Sequence, residues 1–301
     1  MQLLLLFPFF LFFWCTTPPK PMEQSAINIS TNLLPINEID AIYSESDVLK
    51  VTEILEKGKK NAWYKKELGE IILLVGNELL GTEYVGGILD KNKSEQLTIN
   101  LSALDCVTFV ESCSSLSSLI KSEKTDFESF TTELKKIRYR NGVIESYASR
   151  LHYFSDWLYE NEKSGKIKQL SAAIANTPYA VNLFIMSQNH TKYPLINSDS
   201  LLQVIQEKEK EISARKYFYI PENEINKYKK LIPDGAIIAI TTNFKGIEIA
   251  HTGFAIHQNG ELRLMHASSK SKKVEISELS LENMLLANKS QTGIMVSKLL
   301  K

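Results

Sequence analysis

The stretch AHTGFAIHQNGELRLMHAS, Ala250 to Ser268, alternates apolar and polar residues on both sides of Asn259-Gly260. Asn-Gly accepts positive φ at both central positions of a tight turn, so the stretch reads as a two-residue β-hairpin. Closing the hairpin there puts Gln258 opposite Glu261, Gly253 opposite His266 and His251 opposite Ser268. His251 and His266 become diagonal neighbours on one face, about 7 to 8 Å apart at the backbone and within side-chain reach. Gly253 leaves room for the His266 ring. His257 shares the face but lies about 20 Å along the strand from His251.

Working outward, AIIAITT, IEIAHTGFAIH, ELRLMHAS, KKVEIS and TGIMVSKL are short runs rich in branched residues, broken by turn formers, and all follow Pro233. Before Pro233 the apolar period is helical, in SDVLKVTEILEKG and WYKKELGEIILLVGNELLG and over residues 126–138, 145–165, 199–214 and 222–230. Helices first and strands last predict an α+β fold, with helices packed on an antiparallel sheet, rather than repeated β-α-β units.

One helix carries chemistry. In LSALDCVTFVESC (Leu101–Cys113) and its continuation, Phe109, Val110, Cys113, Leu116 and Ile120 recur at steps of three and four, predicting one buried stripe. Asp105 is placed to cap that helix, and Cys106 falls on the stripe at its N-terminal end. Free backbone amides and the positive end of the helix dipole there favour a thiolate and could hold an oxyanion. A small buried cysteine that merely packs is the competing reading, and it is the one that suits Cys113. A thiolate needs a base, and the base needs a polar group to hold its tautomer; Cys106, His251 and His266 could fill those roles. A lone strand histidine more often packs, but two adjacent on one face strengthen the catalytic reading.

The totals bound the rest. The chain has 301 residues, 44% hydrophobic, with 35 basic and 35 acidic side chains. It has ample material for a core and no net field to draw nucleic acid. The apolar run Leu3–Trp14 is too short to span a bilayer and has the length of a signal-peptide core. Residues 1–15 are therefore expected to be a signal peptide, Cys15 a position for a lipid anchor, and residues 16–37 a polar tether to a body spanning 38–301. The expected location is outside the cytoplasm, either periplasmic or anchored as an outer-membrane lipoprotein. On a helix Cys106 and Cys113 stand about 10 Å apart, too far to pair. No Cys-x-x-Cys or His-Glu-x-x-His occurs, so neither metal nor cofactor is expected.

LDCVTFV, AHTGFAI, LMHAS and TEYVGG together resemble the signature segments of NlpC/P60-type cysteine peptidases. The resemblance implies Cys106 as nucleophile, His251 as base, His266 as its orienting partner and Tyr84 at the substrate side. With YRNG, SRLHYFSDW, YFYIP, IIAITT and HASSKSKKVEIS, the chain is similar more specifically to the N-acetylmuramoyl-L-alanine amidase-like family (DUF1460), over about residues 80 to 298. That likeness implies an NlpC/P60-like, papain-like core with a helical insertion at about 121–230, and a peptidoglycan or muropeptide substrate. The bond implied first is the N-acetylmuramoyl–L-alanine amide; a γ-D-glutamyl–diamino acid bond is the alternative. A wall-binding module without turnover and a glycan hydrolase are further alternatives. The latter would need two carboxylates across a cleft, for which Glu145, Asp156 and Glu160 are the candidates. PDGAII departs from the Pro-Gly-Asp of compact relatives. Arg150 and His152 have two readings, as part of an amphipathic helix or as substrate contacts, the Arg150 fork suiting a stem-peptide carboxylate.

Overall fold

A computed structural model describes residues 40–300. The expected signal peptide, the lipid-anchor position Cys15 and the tether lie outside the described residues. The α-helices are α1 (Glu45–Lys60), α2 (Leu68–Glu78), α3 (Cys106–Lys121), α4 (Phe127–Arg138), α5 (Phe154–Lys163), α6 (Ser171–Ile174), α7 (Ile185–Gln188), α8 (Asp199–Ser213), α9 (Ile225–Tyr228) and α10 (Leu281–Leu286). The strands are β1 (Glu83–Tyr84), β2 (Ala103–Leu104), β3 (Ile167–Gln169), β4 (Thr177–Tyr179), β5 (Tyr217–Pro221), β6 (Ile237–Thr242), β7 (Ile249–Gln258), β8 (Glu261–Ser268), β9 (Lys273–Ile276) and β10 (Gln291–Leu299). They form one sheet in the order β2-β1-β9-β8-β7-β6-β10-β5-β4, with β3 also pairing with β10. The fold is α+β and the sheet antiparallel except where β1 meets β2.

The hairpin forms in the expected register: Gln258 pairs with Glu261 and Phe254 with Met265, with Asn259 at φ 52° and Gly260 at φ 79°. Gly253 is there because nothing larger fits. A Cβ at that position would stand 2.9 Å from the His266 Cβ and 2.6 Å from the Met265 carbonyl oxygen.

The sheet has a core on each face. On one, α3 lies against β7 and β8, with α1, α2 and α4 packed round it. Phe109 meets Phe254 edge to face at 5.7 Å between ring centroids. On the other face a smaller cluster joins Ile238, Ile240 and Leu264 to Leu281 and Leu285 of α10. The single buried stripe predicted for α3 is an underestimate, since every residue from Thr108 to Ile120 is buried. The helix runs through the centre of the molecule, and its serines at 112, 114, 115, 117 and 118 are small enough for close approach on the sides away from the sheet. Its buried Glu111 is neutralised by Arg138, whose Nε lies 2.7 Å from Oε2.

Several expected helices differ. Residues 63–81 split into a 3-10 turn at Trp63–Lys65 and α2. Residues 222–230 hold only α9 between two 3-10 turns. Over 145–165, helix is confined to α5 and a 3-10 turn at Tyr147–Ser149. Arg150 is extended instead, in a bridge with Tyr139, because its guanidinium is drawn to acidic groups elsewhere in the fold. The expected helical insertion at 121–230 is mixed, since it supplies β3, β4 and β5 to one end of the sheet. YFYIP, rich in aromatic and branched residues, forms β5, and its Ile220 pairs with Ile294 of β10.

Candidate active site

The N-terminus of α3 is built by short polar residues. Asp105 is extended (φ −99°, ψ −178°), and its Oδ1 accepts the Thr108 amide at 2.8 Å. The Asp105 amide in turn donates to the Thr108 hydroxyl at 2.9 Å, closing a capping box. The approach to the cap is fixed as well. Asn100 Oδ1 accepts the amides of Ser102 and Ala103, and Asp47 Oδ1 accepts the Leu101 amide at 2.7 Å.

These contacts set Cys106 in the first turn, partly exposed, with its sulfur against β7 where the Thr252 amide acts on it. Thr252 follows His251 in the chain. Burial, with the Asp105 charge second, pushes the Cys106 thiol up to about 12, although the amides of Thr252, Cys106 and Val107 act in the opposite direction. The helix end thus favours the thiolate as the sequence suggests, but desolvation and a neighbouring carboxylate outweigh it. Cys113, fully buried two turns on, is held well above the ordinary thiol range by burial alone.

His251 and His266 meet across the β7–β8 hairpin, with His251 Nε2 2.6 Å from His266 Nδ1 and the rings edge-on at 4.8 Å between centroids. Burial lowers His251 to about 3, the charge of His266 adding to the effect, and burial lowers His266 to about 4. Both imidazoles are neutral at pH 7. Tyr84, on β1, is pushed up to about 12 by burial first and then by the charges of Cys106 and Asp105. The Lys272 ammonium stands 5.7 Å from the Tyr84 ring centroid.

Arg150 and His152 belong to another cluster. Arg150 is buried, paired with Asp90 and with Glu95 at 3.3 Å, and its guanidinium lies 5.0 Å from the Tyr147 ring centroid. His152 Nε2 donates to the Tyr147 carbonyl at 2.7 Å, and burial and the Arg150 charge hold it well below the usual imidazole range. Neither residue lies on a helix. Of the carboxylates weighed for glycan hydrolysis, Asp156 and Glu160 are taken up by Arg140 and Arg215. The aspartate of PDGAII, Asp234, accepts the His257 amide at 2.7 Å and lies 2.8 Å from its Nδ1, giving that histidine a structural partner.

Sequence reasoning missed Glu275, which stands opposite His266 in the backbone register of β8 and β9 and whose charge favours the imidazolium. Counting register through the turn after Ser268 could have found it. It also missed Asp90, at the end of a short 3-10 turn (Ile88–Asp90), and Glu95, in the irregular segment that follows, neither of which carries a periodic signal.

The α+β fold thus brings a thiol at a central helix N-terminus and a histidine pair to adjoining elements of one sheet and the helix packed on it. The chain belongs to the N-acetylmuramoyl-L-alanine amidase-like (AmiA-like) family, whose model matches residues 74–294. It is similar to a crystal structure of an N-acetylmuramoyl-L-alanine amidase from Bacteroides uniformis, at 34% identity and TM-score 0.75 over 78% of this chain and all of that one. A Bacteroides fragilis protein assigned provisionally as a xylanase is 35% identical, with TM-score 0.71 over 74% of this chain and 98% of that one. The DUF1460 protein LPG0564 of Legionella pneumophila shares the fold at 24% identity and TM-score 0.65, over 85% and 95% of the two chains. No curated protein matches the sequence.

Proposed function

We propose that this protein is a cysteine-dependent amidase that hydrolyses the N-acetylmuramoyl–L-alanine bond of peptidoglycan or its fragments, on an NlpC/P60-like core. The observation that carries the reading is the 2.6 Å contact between His251 and His266, one residue from the strand amide that acts on Cys106. Family membership and the likeness to the B. uniformis amidase support the amide-bond chemistry.

The His251 Nε2 is committed to His266, which leaves Nδ1 to take the thiol proton. With the thiol near 12 and His251 near 3, the two rest as neutral partners rather than as an ion pair. The proton therefore leaves sulfur as the C–S bond forms. The tetrahedral oxyanion is received by the free amides at the start of α3, and His251 returns the proton to the leaving amine. Water, deprotonated by the same imidazole, then releases the acyl group from Cys106. Tyr84 borders the substrate side. Export to the periplasm, with or without a lipid on Cys15, brings the enzyme to this substrate.

The xylanase assignment of the B. fragilis relative raises glycoside hydrolysis as a second reading. It fits less well, because Asp156 and Glu160 are already neutralised by arginines. Mass spectrometry of a disaccharide tetrapeptide incubated with the protein and with Cys106→Ala tests both. Cysteine-dependent release of free tetrapeptide is expected. Cleavage after D-glutamate instead would mean an endopeptidase, and separated sugars would mean a glycosidase.

A further inference from the structure

The strand that carries His251 begins at a cleft separate from the cysteine and the histidine pair. Ile240 of β6 is the register partner of His251 on β7, and the loop of residues 242–248 joins the two strands. Glu248 stands three residues from His251, about 10 Å at strand rise. This loop is one wall of the cleft. The other is the segment 179–184, from the part of the chain expected as a helical insertion. Between them lies a space of about 420 Å³, the size of a small-molecule site.

Both walls are fixed before anything binds. The Tyr179 hydroxyl lies 2.9 Å from the Thr242 carbonyl oxygen and 3.0 Å from that of Glu248, tying together the two ends of the loop. The Phe184 and Ile185 amides donate to the Gly246 carbonyl at 3.3 and 3.1 Å. Gly246 has φ 85°, and a Cβ there would stand 2.7 Å from the Phe184 ring, so only glycine lets the walls come this close. The Phe244 amide donates to the Thr242 hydroxyl oxygen at 3.2 Å, and Asn243 is held by the Ser290 and Lys289 carbonyls. On this braced loop Phe244 is nonetheless 61% exposed and belongs to neither core cluster. Burial therefore does not account for its ring. The same cleft is lined by Val181, Phe184 and Ile247 and by the exposed Asn182 and Lys245, whose side chains have no hydrogen-bond or ion-pair partner among the described residues.

We propose that this cleft is a glycan subsite: a pyranose ring of the substrate lies against Phe244, and Asn182 and Lys245 hydrogen-bond the groups on its rim. The inference rests on the amidase reading and adds what holds the sugar end of that substrate. A pyranose has a face of C–H bonds, which suits an exposed phenyl ring, and an edge of hydroxyl and acetamido groups, which need donors and acceptors at once. An asparagine amide offers both, and a lysine ammonium offers donors. An apolar peptide side chain would use the aromatic wall and leave these two polar groups unused. In the muramoyl–alanine bond the acyl group passed to Cys106 carries the sugar, so a sugar site has to lie within reach of the base, as this cleft does.

The disaccharide N-acetylglucosaminyl-N-acetylmuramic acid has no peptide, and hence no bond for the amidase to cut. Its binding to the full chain, followed by saturation-transfer NMR, tests the proposal. The disaccharide is expected to bind, with Phe244→Ala and Phe244→Leu weakening it about tenfold and Phe244→Trp retaining it, since leucine keeps apolar area but no flat ring. Circular dichroism on the same samples checks that the variants are folded. No binding, or equal binding by the unmodified protein and Phe244→Ala, overturns the proposal. So does a Phe244 dependence found for the free tetrapeptide and not for the disaccharide, which would make the cleft a peptide subsite. In turnover of the disaccharide tetrapeptide, Phe244→Ala is expected to lower kcat/KM about tenfold with the pH limbs unmoved. Wild-type kcat/KM in a variant that no longer binds the disaccharide would put the sugar site outside the productive complex and overturn the subsite. Phe244-dependent disaccharide binding by a protein without Cys106-dependent cleavage would uphold the glycan site and sink the amidase reading alone.

Discussion

His251 Nε2 lies 2.6 Å from His266 Nδ1, and the backbone that brings them together has a glycine at 253 between them. A methyl group there would press on the His266 Cβ from 2.9 Å and on a strand carbonyl from 2.6 Å. Gly253→Ala is therefore expected to push the His266 ring out of line, lowering kcat on the order of 10² or more while the far-ultraviolet spectrum stays native. Steady-state kinetics beside circular dichroism would check it, and wild-type kcat in a folded variant would show the glycine to be incidental.

The two cysteines should separate cleanly. Cys106→Ala is expected to abolish hydrolysis, a loss on the order of 10³-fold or more, without unfolding the chain. Cys113→Ala leaves kcat unchanged and costs about 1 kcal/mol or more of stability, because it removes a fully buried sulfur. Activity and urea midpoints on the same preparations decide between them.

The resting thiol should be sluggish. With Cys106 pushed up to about 12, its alkylation by iodoacetamide at pH 7 is expected to be slower than that of a free cysteine, and to rise as pH increases. Mass spectrometry of the modified peptide over a pH series measures this; rapid labelling at pH 6 would mean a preformed thiolate.

Acid should destabilise the fold through the histidines. The folded values for His251 and His266, about 3 and 4, lie below the ordinary 6.5, so the unfolded chain binds more protons between those limits. Their contribution is fully present above pH 6.5 and is lost as pH falls from there through 4 and 3, with His152 acting in the same direction. The Tm should fall across that window, and the fall should lessen in His251→Gln/His266→Gln; an equal fall in that variant would assign it to carboxylates.

The buried Arg138–Glu111 pair offers a test of the central helix. Glu111→Ala leaves the Arg138 guanidinium without its carboxylate and is expected to cost about 3–5 kcal/mol. Arg138→Met with Glu111→Leu should recover most of it. Equilibrium urea denaturation compares the two, and a double variant as unstable as the single would mean the pair itself is needed.

What the sequence alone determined is whatever depends on neighbours in the chain. Asn259-Gly260 set the turn, and with a side-chain period of two the turn set the register that joins His251 to His266. Asp105 and Thr108 set the head of α3, and so the place of Cys106 in its first turn. Tertiary structure decided whatever depends on burial and on distant charge. The wheel of α3 could not show that helices would cover its outer sides as well. A helix dipole is a local property, whereas desolvation is a sum over everything packed nearby, so Cys106 rises toward 12 at a position whose local chemistry favours the thiolate. Arg150 is the same case in the backbone: the helical pattern of SRLHYFSDW is local, but Asp90 and Glu95, about sixty residues earlier, hold the chain extended there.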